Sequence, residues 1–370
     1  KMKIVFSSNV SWSIFNFRKS LLKSFQNRGH EIFTVANKDK YSEKLNNNNF
    51  NFYEIKFNNN SKNPFLDFLL IIKYIIVYRR INPDVIFHNA VKPNIYGTIA
   101  ASLLRIPVVN NISGLGTVFI KKSLSTYIVK FLYKYSQNKA HQVFFQNSDD
   151  FNLFVKNNLI NKEKGKVING SGSNINYFKP SPKNKISKNF QFLFVGRLLI
   201  DKGIREYIEA AKILKQKNLN VDFNVLGPFA FNNSSSVNEK EFNSWVSSNT
   251  INYLGVTDDV KNFLIDSDCV VLPSYREGMS KALIEASLMG IPIVTSDVPG
   301  CRDVIENNVT GFLCEVKNSI NLAEKMKQIL YLKKDKFIKM KLSSRERAVR
   351  LFDDKLIINE YKKAVENIFY

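Results

Sequence analysis

Residues 269–290, CVVLPSYREGMSKALIEASLMG, decide the fold class, because they join an apolar strand, a polar loop and a helix in one short stretch. Gly290 stands at the end of the predicted helix and Pro292 follows soon after, as is common beyond a helix C-terminus. The chain repeats this order of strand and helix many times. Continuously apolar strands that alternate with helices are typical of a parallel sheet, so the sequence predicts an α/β fold.

The apolar strands fall into two series. The first comprises residues 3–8, 31–36, 84–89, 107–112, 142–147 and 166–170, and the second comprises residues 189–197, 221–228, 251–255, 269–274, 291–296 and 311–316. The stretch 169–189 between them is rich in Asn, Ser, Gly, Lys and Pro, which is the composition of a linker. We therefore expect two α/β domains. Open parallel sheets bind ligands beyond the carboxyl ends of their strands, so a cleft between two facing sheets is expected to hold the ligand.

The net charge of +22 is unevenly distributed. Residues 1–180 contain 26 lysines and arginines against 9 aspartates and glutamates, whereas residues 181–370 contain 28 against 23. The basic first half predicts an anionic partner, which is a membrane face, nucleic acid or a phosphorylated substrate. Because no RNA-binding or zinc-finger pattern is visible, nucleic acid is the alternative and not the expected partner.

Several other patterns predict structural roles. The three cysteines and three histidines lack the spacing of a disulfide framework or a metal site, so a reduced protein without metal is expected. Asp266 and Asp268 mimic a metal-binding D-x-D motif, but they lie between a predicted helix and a buried strand, which favours a structural role. The run 65–80 is apolar almost all round and too short to cross a bilayer, so it is predicted to be a buried crossover helix.

The loop in the opening stretch predicts an anion site. The helix should begin near Met279 or Ser280, and the backbone N–H groups of a first turn bind anions readily. Gly278 lets the backbone approach a ligand closely. Glu277 and Glu285 would repel a phosphate, so they are better suited to accept hydrogen bonds from sugar hydroxyls. Taken alone, this pattern favours the alternative in which Glu277 is an ordinary loop residue and Glu285 lies on a solvated helix face.

A second motif adds positive charge. In FVGRLLIDKG, Gly196 and Arg197 end a strand and Lys202 stands just before the next helix. A guanidinium and an ammonium at the end of the same sheet as Glu277 suit a diphosphate. The three features together predict a nucleotide-sugar site in which no metal ion is needed to stabilise the leaving diphosphate.

These motifs, in this order, resemble the retaining glycosyltransferases of family 4, which have the GT-B fold of two facing Rossmann-like domains. The resemblance runs through VGRLLIDKG, residues 253–315 and NGSGSNINYFKP. It implies an acceptor domain at 1–175, a donor domain at 176–345 and a C-terminal helix at 346–370 that returns to the first domain. It also implies that Arg197 and Lys202 bind the donor diphosphate and that Glu277 holds the donor sugar beside the transferring carbon.

The same resemblance implies the remaining donor contacts. Glu285 would bind ribose hydroxyls, and Gly278, Met279 and Ser280 would offer backbone amides, although the family usually has an aromatic residue and Gly at 279 and 280. The donor-binding set is completed by Gly196, Gly227, Gly255, Val256 and Leu283.

The first half resembles a narrower group, the transferases that extend undecaprenyl-diphosphate-linked sugars for capsule, O-antigen or protein glycan assembly. The resemblance rests on residues 9–32, 88–101 and 106–119. It implies transfer of a hexose or N-acetylhexosamine from a UDP-sugar or similar donor to a polyprenyl-diphosphate saccharide. Ser113 stands where many members have a histidine. The candidate acceptor-binding residues are Asn9, Trp12, His88, Lys92, Asn94, Ser113 and Gly114. For His88, a structural role is favoured over acceptor binding. For Lys92 and Asn94, a position in a solvated loop is as strongly indicated as acceptor binding.

Residues 114–139 mix aromatic side chains with lysines, a composition that suits docking on anionic lipid. A helix packed on its own sheet with outward lysines is the alternative. The candidate membrane contacts are Phe119, Lys121, Lys122, Lys130 and Lys134. Since the N-terminus reads as a strand, we expect a cytoplasmic protein that is peripheral on the inner face of the cell membrane.

Overall fold

A computed structural model describes residues 1–59, 61, 63–115, 124–184, 187–217, 219–230, 233 and 235–369. Contacts divide the chain into two compact units. The first unit contains Lys1–Ser171 and Asp354–Tyr370, and the second contains Gly172–Asp353.

Among the described residues of the first unit, seven parallel strands form one sheet in the order β3-β2-β1-β4-β5-β6-β7. The strands are β1 (Lys3–Val10), β2 (Glu31–Asn37), β3 (Asn51–Glu54), β4 (Val85–Asn89), β5 (Val108–Ile112), β6 (Gln142–Phe145) and β7 (Gly165–Val167). All six predicted strands are confirmed. The sequence did not reveal β3, because this short edge strand follows a run of asparagines and has no residue that is fully buried.

Helices cover both faces of this sheet, since alternate strand residues point to opposite sides. One core contains Ile4 and Phe6 and is covered by α1 (Ser11–Gln26), α2 (Ser42–Asn46) and the C-terminal helix α13 (Asp354–Phe369). The other core contains Val5 and Val35. It is covered by α3 (Pro64–Ile81), α4 (Thr98–Leu103), α5 (Leu124–Lys139) and α6 (Ser148–Lys156).

Helix α3 differs from its prediction. Asn63 caps its N-terminus by accepting a hydrogen bond from the Phe65 N–H, and Asn82 ends it in the left-handed conformation. Only one face is buried, through Leu70, Tyr74, Tyr78 and Ile81. The prediction of a buried crossover helix is therefore wrong, because an all-round apolar composition gave no indication of which side packs on the sheet.

Among the described residues of the second unit, six parallel strands form a sheet in the order β10-β9-β8-β11-β12-β13. They are β8 (Phe190–Val195), β9 (Val221–Leu226), β10 (Asn252–Tyr253), β11 (Cys269–Leu272), β12 (Ile293–Ser296) and β13 (Gly311–Cys314). The helices are α7 (Ile204–Lys215), α8 (Glu239–Ser247), α9 (Lys261–Ile265), α10 (Lys281–Leu288), α11 (Ser319–Leu330) and α12 (Lys334–Phe352). All six strands predicted for the second half are present.

The division between the units differs slightly from the predicted boundary at residue 175. The second unit begins at Gly172, because the Ser173 N–H donates to the Phe352 carbonyl oxygen at 2.9 Å and ties this segment to the end of α12. Residues 346–353 likewise belong to the second unit as the last turns of α12. Helix α13 packs in the first unit, where Tyr361 accepts a hydrogen bond from Asn111.

Candidate functional site

The loops at the carboxyl edge of the second sheet are held close together by glycines. Gly227, after β9, donates its N–H to the Gly255 carbonyl oxygen at 2.9 Å. A Cβ at Gly227 would lie 1.8 Å from the carbonyl oxygen of Gly196, which follows β8, and its φ of +153° also favours glycine. The three predicted donor-site glycines thus lie together at one end of the sheet, and a side chain at Gly227 would push them apart.

Lys202 and Glu277 meet at the same edge, although 74 residues separate them in sequence. The Lys202 ammonium forms an ion pair with Glu277 Oε1. Gly203 makes this possible, since its φ is +75° and a Cβ there would lie 2.1 Å from the Pro273 carbonyl oxygen. The turn that carries Lys202 therefore rests directly on the segment that carries Glu277.

Two residues that the sequence did not single out hold Glu277 in place. Ser274 Oγ donates to Glu277 Oε1 at 2.7 Å, so the same carboxylate oxygen accepts from both Ser274 and Lys202. Gly300, after β12, has a φ of +76°, and a Cβ there would lie 2.5 Å from the Glu277 carbonyl oxygen. The spacing S-x-x-E in the loop was a possible signal for Ser274, whereas Gly300 could be placed only by the folded loops.

The backbone amides after Glu277 are only partly as predicted. Helix α10 begins at Lys281 with Ser280 as its N-cap, close to the predicted start. The Ser280 N–H, however, already donates to the Gly300 carbonyl oxygen at 3.2 Å. The prediction that this amide is offered to the donor is therefore wrong for the structure as it stands. Gly278 is buried and Met279 is half-buried against the core.

Arg197 is the exposed cation of the site. Its side chain makes no ion pair or hydrogen bond with any residue that the structure describes, and only its backbone carbonyl is engaged, by the Leu199 N–H. A guanidinium that keeps all of its donors open to solvent can bind two oxygens of an anion at once. Arg197 therefore offers more unused hydrogen-bonding capacity than Lys202, which is paired with Glu277.

Glu285 lies on α10 and is almost fully buried, with 7% of its surface exposed. Its carboxylate contacts Ser173 Oγ at 3.4 Å and Lys281 Nζ at 3.8 Å. Burial raises the pKa of Glu285 to about 7, although the charge of Lys281 and the hydrogen bond from Ser173 oppose the shift. A carboxyl group with few protein donors around it is suited to accept hydrogen bonds from ligand hydroxyls.

The remaining predicted donor residues have different environments. Val256 is exposed beside Gly255. Leu283 is completely buried in the core of the second unit, so its prediction as a direct donor contact is wrong. It lies on the side of α10 that packs on the sheet, and its role is to hold the helix.

In the first unit, His88 is a structural residue. It is the last residue but one of β4 and has no exposed surface. Its ring nitrogens lie 2.7 Å from the Tyr78 hydroxyl and 3.0 Å from Asn110 Oδ1. Because Asn110 Oδ1 can only accept, His88 Nδ1 donates to it and Nε2 accepts from Tyr78. Burial lowers the pKa of His88 to about 3, so the imidazole is neutral. The prediction of a direct acceptor contact is wrong, because no surface of this side chain is open to a ligand.

Two other candidate acceptor residues are also engaged by the protein. Asn94 is buried, and its Nδ2 donates to the Asn111 carbonyl oxygen at 2.8 Å, which contradicts a direct acceptor contact. Lys92 lies 2.5 Å from Asp67 Oδ1, and Asp67 also accepts from the Tyr96 hydroxyl at 2.8 Å. Lys92 is therefore not the solvated loop cation that was the alternative.

The rest of the acceptor set is closer to solvent. Trp12 and Ser113 are exposed, while Asn9 and Gly114 are half-buried. The Trp12 N–H donates to Asp39 Oδ2 at 2.9 Å, which fixes the start of α1 and leaves the indole ring outward. Of the predicted membrane contacts, Phe119, Lys121 and Lys122 lie outside the described residues. Lys130 donates to Asn157 Oδ1 at 3.1 Å, and Lys134 is exposed.

The D-x-D mimic is structural, as expected. Asp266 Oδ1 accepts from the Asn184 N–H at 2.7 Å, and Asp268 Oδ2 accepts from the Gln191 N–H at 2.9 Å. Lys183 adds an ion pair to Asp268 at 2.7 Å. Within the ranges described, no group of three His, Cys, Asp or Glu side chains is arranged to hold a metal ion. Of the helices described, none combines the length and hydrophobicity that crossing a bilayer requires.

Comparison with known proteins places the chain. The family "Glycosyl transferases group 1" matches residues 178–346, and the family "Glycosyl transferase 4-like" matches residues 3–147. The chain is 30% identical to the N,N'-diacetylbacillosaminyl-diphospho-undecaprenol alpha-1,3-N-acetylgalactosaminyltransferase of Campylobacter jejuni, over 99% of each chain. It is 28% identical to the UDP-Gal:alpha-D-GlcNAc-diphosphoundecaprenol alpha-1,3-galactosyltransferase of Escherichia coli, over 64% of this chain and 63% of that one.

Solved structures agree on the fold. HepE of Anabaena, in complex with UDP and glucose, matches with a TM-score of 0.80 at 19% sequence identity, over 99% of this chain and all of that one. A glycosyltransferase from Rickettsia africae matches with a TM-score of 0.79 over the same share of each chain, also at 19% identity. With two parallel sheets of the GT-B kind and a relative of this identity along its whole length, the chain belongs to the family 4 glycosyltransferases.

Proposed function

We propose that this glycosyltransferase moves a hexose or N-acetylhexosamine from a UDP-sugar to a polyprenyl-diphosphate-linked saccharide, with retention at the anomeric carbon. The observation that carries the proposal is the meeting of Lys202, Glu277 and the site glycines at one sheet edge, in a chain related end to end to a transferase of that type. The names of both relatives contain an undecaprenol-linked diphosphate, which supports a lipid-linked acceptor.

The charges of the site support the donor half of the reaction. When the sugar is transferred, the nucleoside diphosphate departs with an added negative charge. A preorganised cation stabilises that charge in the transition state. Arg197 and Lys202 are the cations that we assign to the diphosphate. Lys202 would exchange part of its contact with Glu277 for the diphosphate, which would release the Glu277 carboxylate to accept from sugar hydroxyls. Glu285 would accept from the ribose hydroxyls.

The first unit supports a mechanism without a histidine base. His88 is buried and neutral, and Ser113 occupies the position where many members of the family have histidine. In front-face transfer the acceptor hydroxyl attacks the anomeric carbon on the side of the leaving group. The departing diphosphate oxygen then accepts the acceptor proton. The bond broken is the one between the anomeric carbon and the diphosphate oxygen, and the bond formed is the new glycosidic bond.

The donor is tested with a panel of nucleotide sugars and a short-chain polyprenyl-diphosphate saccharide. We expect one UDP-sugar to raise the melting temperature and to be consumed with release of UDP. Glu277→Gln should reduce transfer by orders of magnitude at a nearly unchanged melting temperature. Glu209→Gln, at an exposed ion pair of the same unit, is the matched control and should remain active. A fully active Glu277→Gln enzyme would contradict the proposed site.

We also propose that transfer requires no metal ion. Arg197 and Lys202 supply the positive charge that a divalent cation supplies in other transferases. Enzyme treated with EDTA and then assayed without added metal should keep its rate. Restoration of a lost rate by Mg²⁺ or Mn²⁺ would overturn this part of the proposal.

Finally, we propose that the protein is peripheral on the cytoplasmic face of the membrane and uses its basic first unit to bind anionic lipid. That unit has 28 lysines and arginines against 12 aspartates and glutamates, a net charge of +16. Binding should require anionic vesicles and weaken as salt is raised. Equal binding to neutral vesicles would remove the electrostatic explanation. Gel shifts with DNA or RNA at about 0.15 M salt should show no tight complex.

A further inference from the structure

Helix α3 presents an apolar row to solvent. Phe65, Phe68, Ile72 and Ile76 recur at intervals of three and four residues, which places them on one side of the helix. Their exposed fractions are 66%, 59%, 38% and 61%. The row is about 16 Å long at 1.5 Å per residue. Large apolar side chains that are exposed singly are ordinary, but a continuous row of this length marks an interaction surface.

The opposite side of α3 shows that the row is not core that has been left open. Leu70, Tyr74, Tyr78 and Ile81 are buried in the core between α3 and the sheet. Tyr78 is also fixed by its hydrogen bond to His88. The helix cannot turn its outer row inward without breaking these contacts. A partner for the row must therefore come from outside the part of the unit that the structure describes.

Basic side chains flank the row. Lys73 and Arg79 are exposed on the same helix, and Arg80 is exposed beside them with its guanidinium over the Tyr53 ring. A small cavity of about 80 Å³ at the N-terminal half of α3 is lined by Lys56, Lys73 and Lys92 together with Leu66 and Leu69. Apolar rows bordered by lysine and arginine are the signature of helices that lie in the membrane interface.

The neighbouring helix on the same side of the sheet repeats the pattern. Helices α3 and α5 both contact α4 and bury their inner faces in one core. On the outer face of α5, Tyr127, Ile128, Phe131 and Tyr135 are exposed, with Lys134 among them. The two outer faces belong to one layer of the first unit, so a flat partner can meet both.

We infer that α3 is the element of this protein that enters the membrane, with its row from Phe65 to Ile76 in the acyl boundary of an anionic leaflet and its basic residues at the headgroups. This inference rests on the proposed membrane association and adds the segment and the apolar part of the binding. It differs from purely electrostatic binding through lysines, because an apolar row gives a component that salt does not screen.

Charge favours a lipid leaflet over a second copy of this chain. Each first unit carries a net charge of +16, so pairing two of these faces would bring two strongly basic surfaces together. An anionic leaflet instead offers opposite charge and an apolar layer at the depth that the row can reach. The leaflet satisfies both features of the surface at once.

The first test measures insertion at a single position. All three native cysteines are buried, so a cysteine placed at Ile76 can be labelled selectively with an environment-sensitive fluorophore. The matched control is Ile320→Cys on α11 of the second unit, where the isoleucine is 65% exposed against 61% for Ile76. With vesicles of phosphatidylcholine and phosphatidylglycerol, the label at 76 should shift to shorter wavelength and the label at 320 should not. No shift at 76, or equal shifts at both positions, would overturn the inference.

The second test separates apolar from electrostatic binding. Ile72→Ser with Ile76→Ser should weaken partitioning to the same vesicles at least tenfold, about 1.4 kcal/mol, and most clearly in 0.5 M salt. Ile320→Ser should bind like wild type. Transfer to a water-soluble short-chain acceptor should be unchanged in both variants. Unchanged partitioning with normal transfer would reject α3 insertion and leave the proposed function standing, whereas absent transfer in wild type would reject the function itself.

Sedimentation without lipid completes the design. If wild type forms dimers and the double serine variant is monomeric, the row is an interface between copies and the lipid inference is wrong. A monomer in both cases, together with the vesicle results above, would support insertion of α3.

Discussion

Strands β4 and β11 hold the same place in their sheets, each beside the first strand of its unit, yet the polar residues at their carboxyl ends behave in opposite ways. At β4, His88 is buried and both ring nitrogens are bonded within the protein. In the loop after β11, Glu277 is partly exposed and is paired with Lys202, which the proposed function assigns to the donor diphosphate. Neighbouring regions of the two sheets thus differ: the one at His88 serves stability, whereas the one at Glu277 is proposed to bind the ligand.

The difference lies in whether the protein satisfies its own polar groups. Around His88, Asn110 bonds further to Gln137 Oε1 at 2.8 Å, and Thr98 bonds to Asn110 Oδ1 at 3.0 Å, so the network is closed. At the second sheet, the exposed Arg197 guanidinium has no partner among the described side chains, and Glu285 has few donors. Closed networks stabilise a fold, whereas unsatisfied groups at an edge can bind. Variants in the two networks should therefore alter different quantities.

The largest effect is expected for Lys202→Ala. Removing the ammonium withdraws one of the cations proposed to stabilise the developing diphosphate charge, so transfer should slow by a factor of about 10² to 10³. Its effect on the melting temperature should be smaller than its effect on the rate, because the Glu277 carboxylate keeps its hydrogen bond from Ser274. Steady-state rates of UDP release and thermal unfolding measure the two quantities.

Lys212→Ala is the matched control, since Lys212 also pairs with a glutamate in the same unit, at 2.7 Å from Glu209. It should match wild type in both measurements. If Lys202→Ala lost several degrees of stability and little activity, the second edge would be structural like the first, and the contrast between the two sheets would be lost.

His88→Ala should have the opposite effects in the first unit, namely a large loss of stability and an unchanged affinity for the donor. The substitution leaves the Tyr78 hydroxyl and the Asn110 oxygen without their ring partners and creates a cavity, so unfolding should become easier by about 4 kcal/mol. Urea unfolding gives this value. The remaining folded protein should still bind the UDP-sugar with normal affinity, because that site lies in the other unit.

A His88→Ala enzyme of wild-type stability with lost transfer would instead make His88 a catalytic residue and contradict its closed network. Stability and donor affinity must therefore be measured on the same preparation.

The sequence predicted the sheets better than it predicted these roles. Strands such as 190–195 are apolar runs whose burial on both faces is evident from composition. The sequence favoured a structural role for His88 but could not show its partners, and it did not show which face of α3 is buried; both features depend on contacts from distant parts of the chain. Tyr78 and Asn110, which close the His88 network, are 10 and 22 residues away, and no local pattern joins them.

In the donor site, by contrast, the key groups lie in compact motifs. Arg197, Lys202 and Glu277 could be selected because cations and a carboxylate stood at strand ends, and strand ends of a parallel sheet share one edge. The motifs could not show which backbone N–H groups are already hydrogen-bonded within the protein. The Ser280 amide was predicted to be open, yet it bonds to Gly300, which comes from the loop after another strand.

The stability of Glu285→Gln, compared with wild type, should depend on pH. Because burial raises the pKa of Glu285 from its usual value of 4.5 to about 7, ionising this carboxyl opposes folding. Below pH 4.5 the carboxyl is protonated in both the folded and the unfolded protein, so wild type keeps its full stability. Wild type loses stability as the pH rises through 7, because the folded protein must then ionise a buried carboxyl. At pH 8 the glutamine variant without ligand should be more stable than wild type by about 3 kcal/mol, and near pH 4 the two should be equal.

Chemical unfolding across this pH range measures the difference, with Glu209→Gln as the control at an exposed glutamate of the same unit. A constant difference between Glu285→Gln and wild type at all pH values would show that the buried carboxyl is not the group that titrates. The polar groups at the donor edge would then be bonded within the protein, as they are around His88.

The smallest effect is expected for Ser274→Ala, which removes one of the two groups that hold Glu277 Oε1. Lys202 still binds the same oxygen, so the carboxylate should remain near its place but less well oriented. Because one hydrogen bond to a charged group is worth about 1.5 kcal/mol, the rate of transfer should fall about tenfold while donor affinity changes less. Ser244→Ala is the control and should leave the rate unchanged, because Ser244 is exposed on α8 and its hydroxyl donates to the Glu241 carbonyl oxygen, away from the site. A Ser274→Ala rate equal to wild type would mean that the Ser274 hydrogen bond does not help to position Glu277, and the contrast with the hydrogen-bond network of the first sheet would become larger.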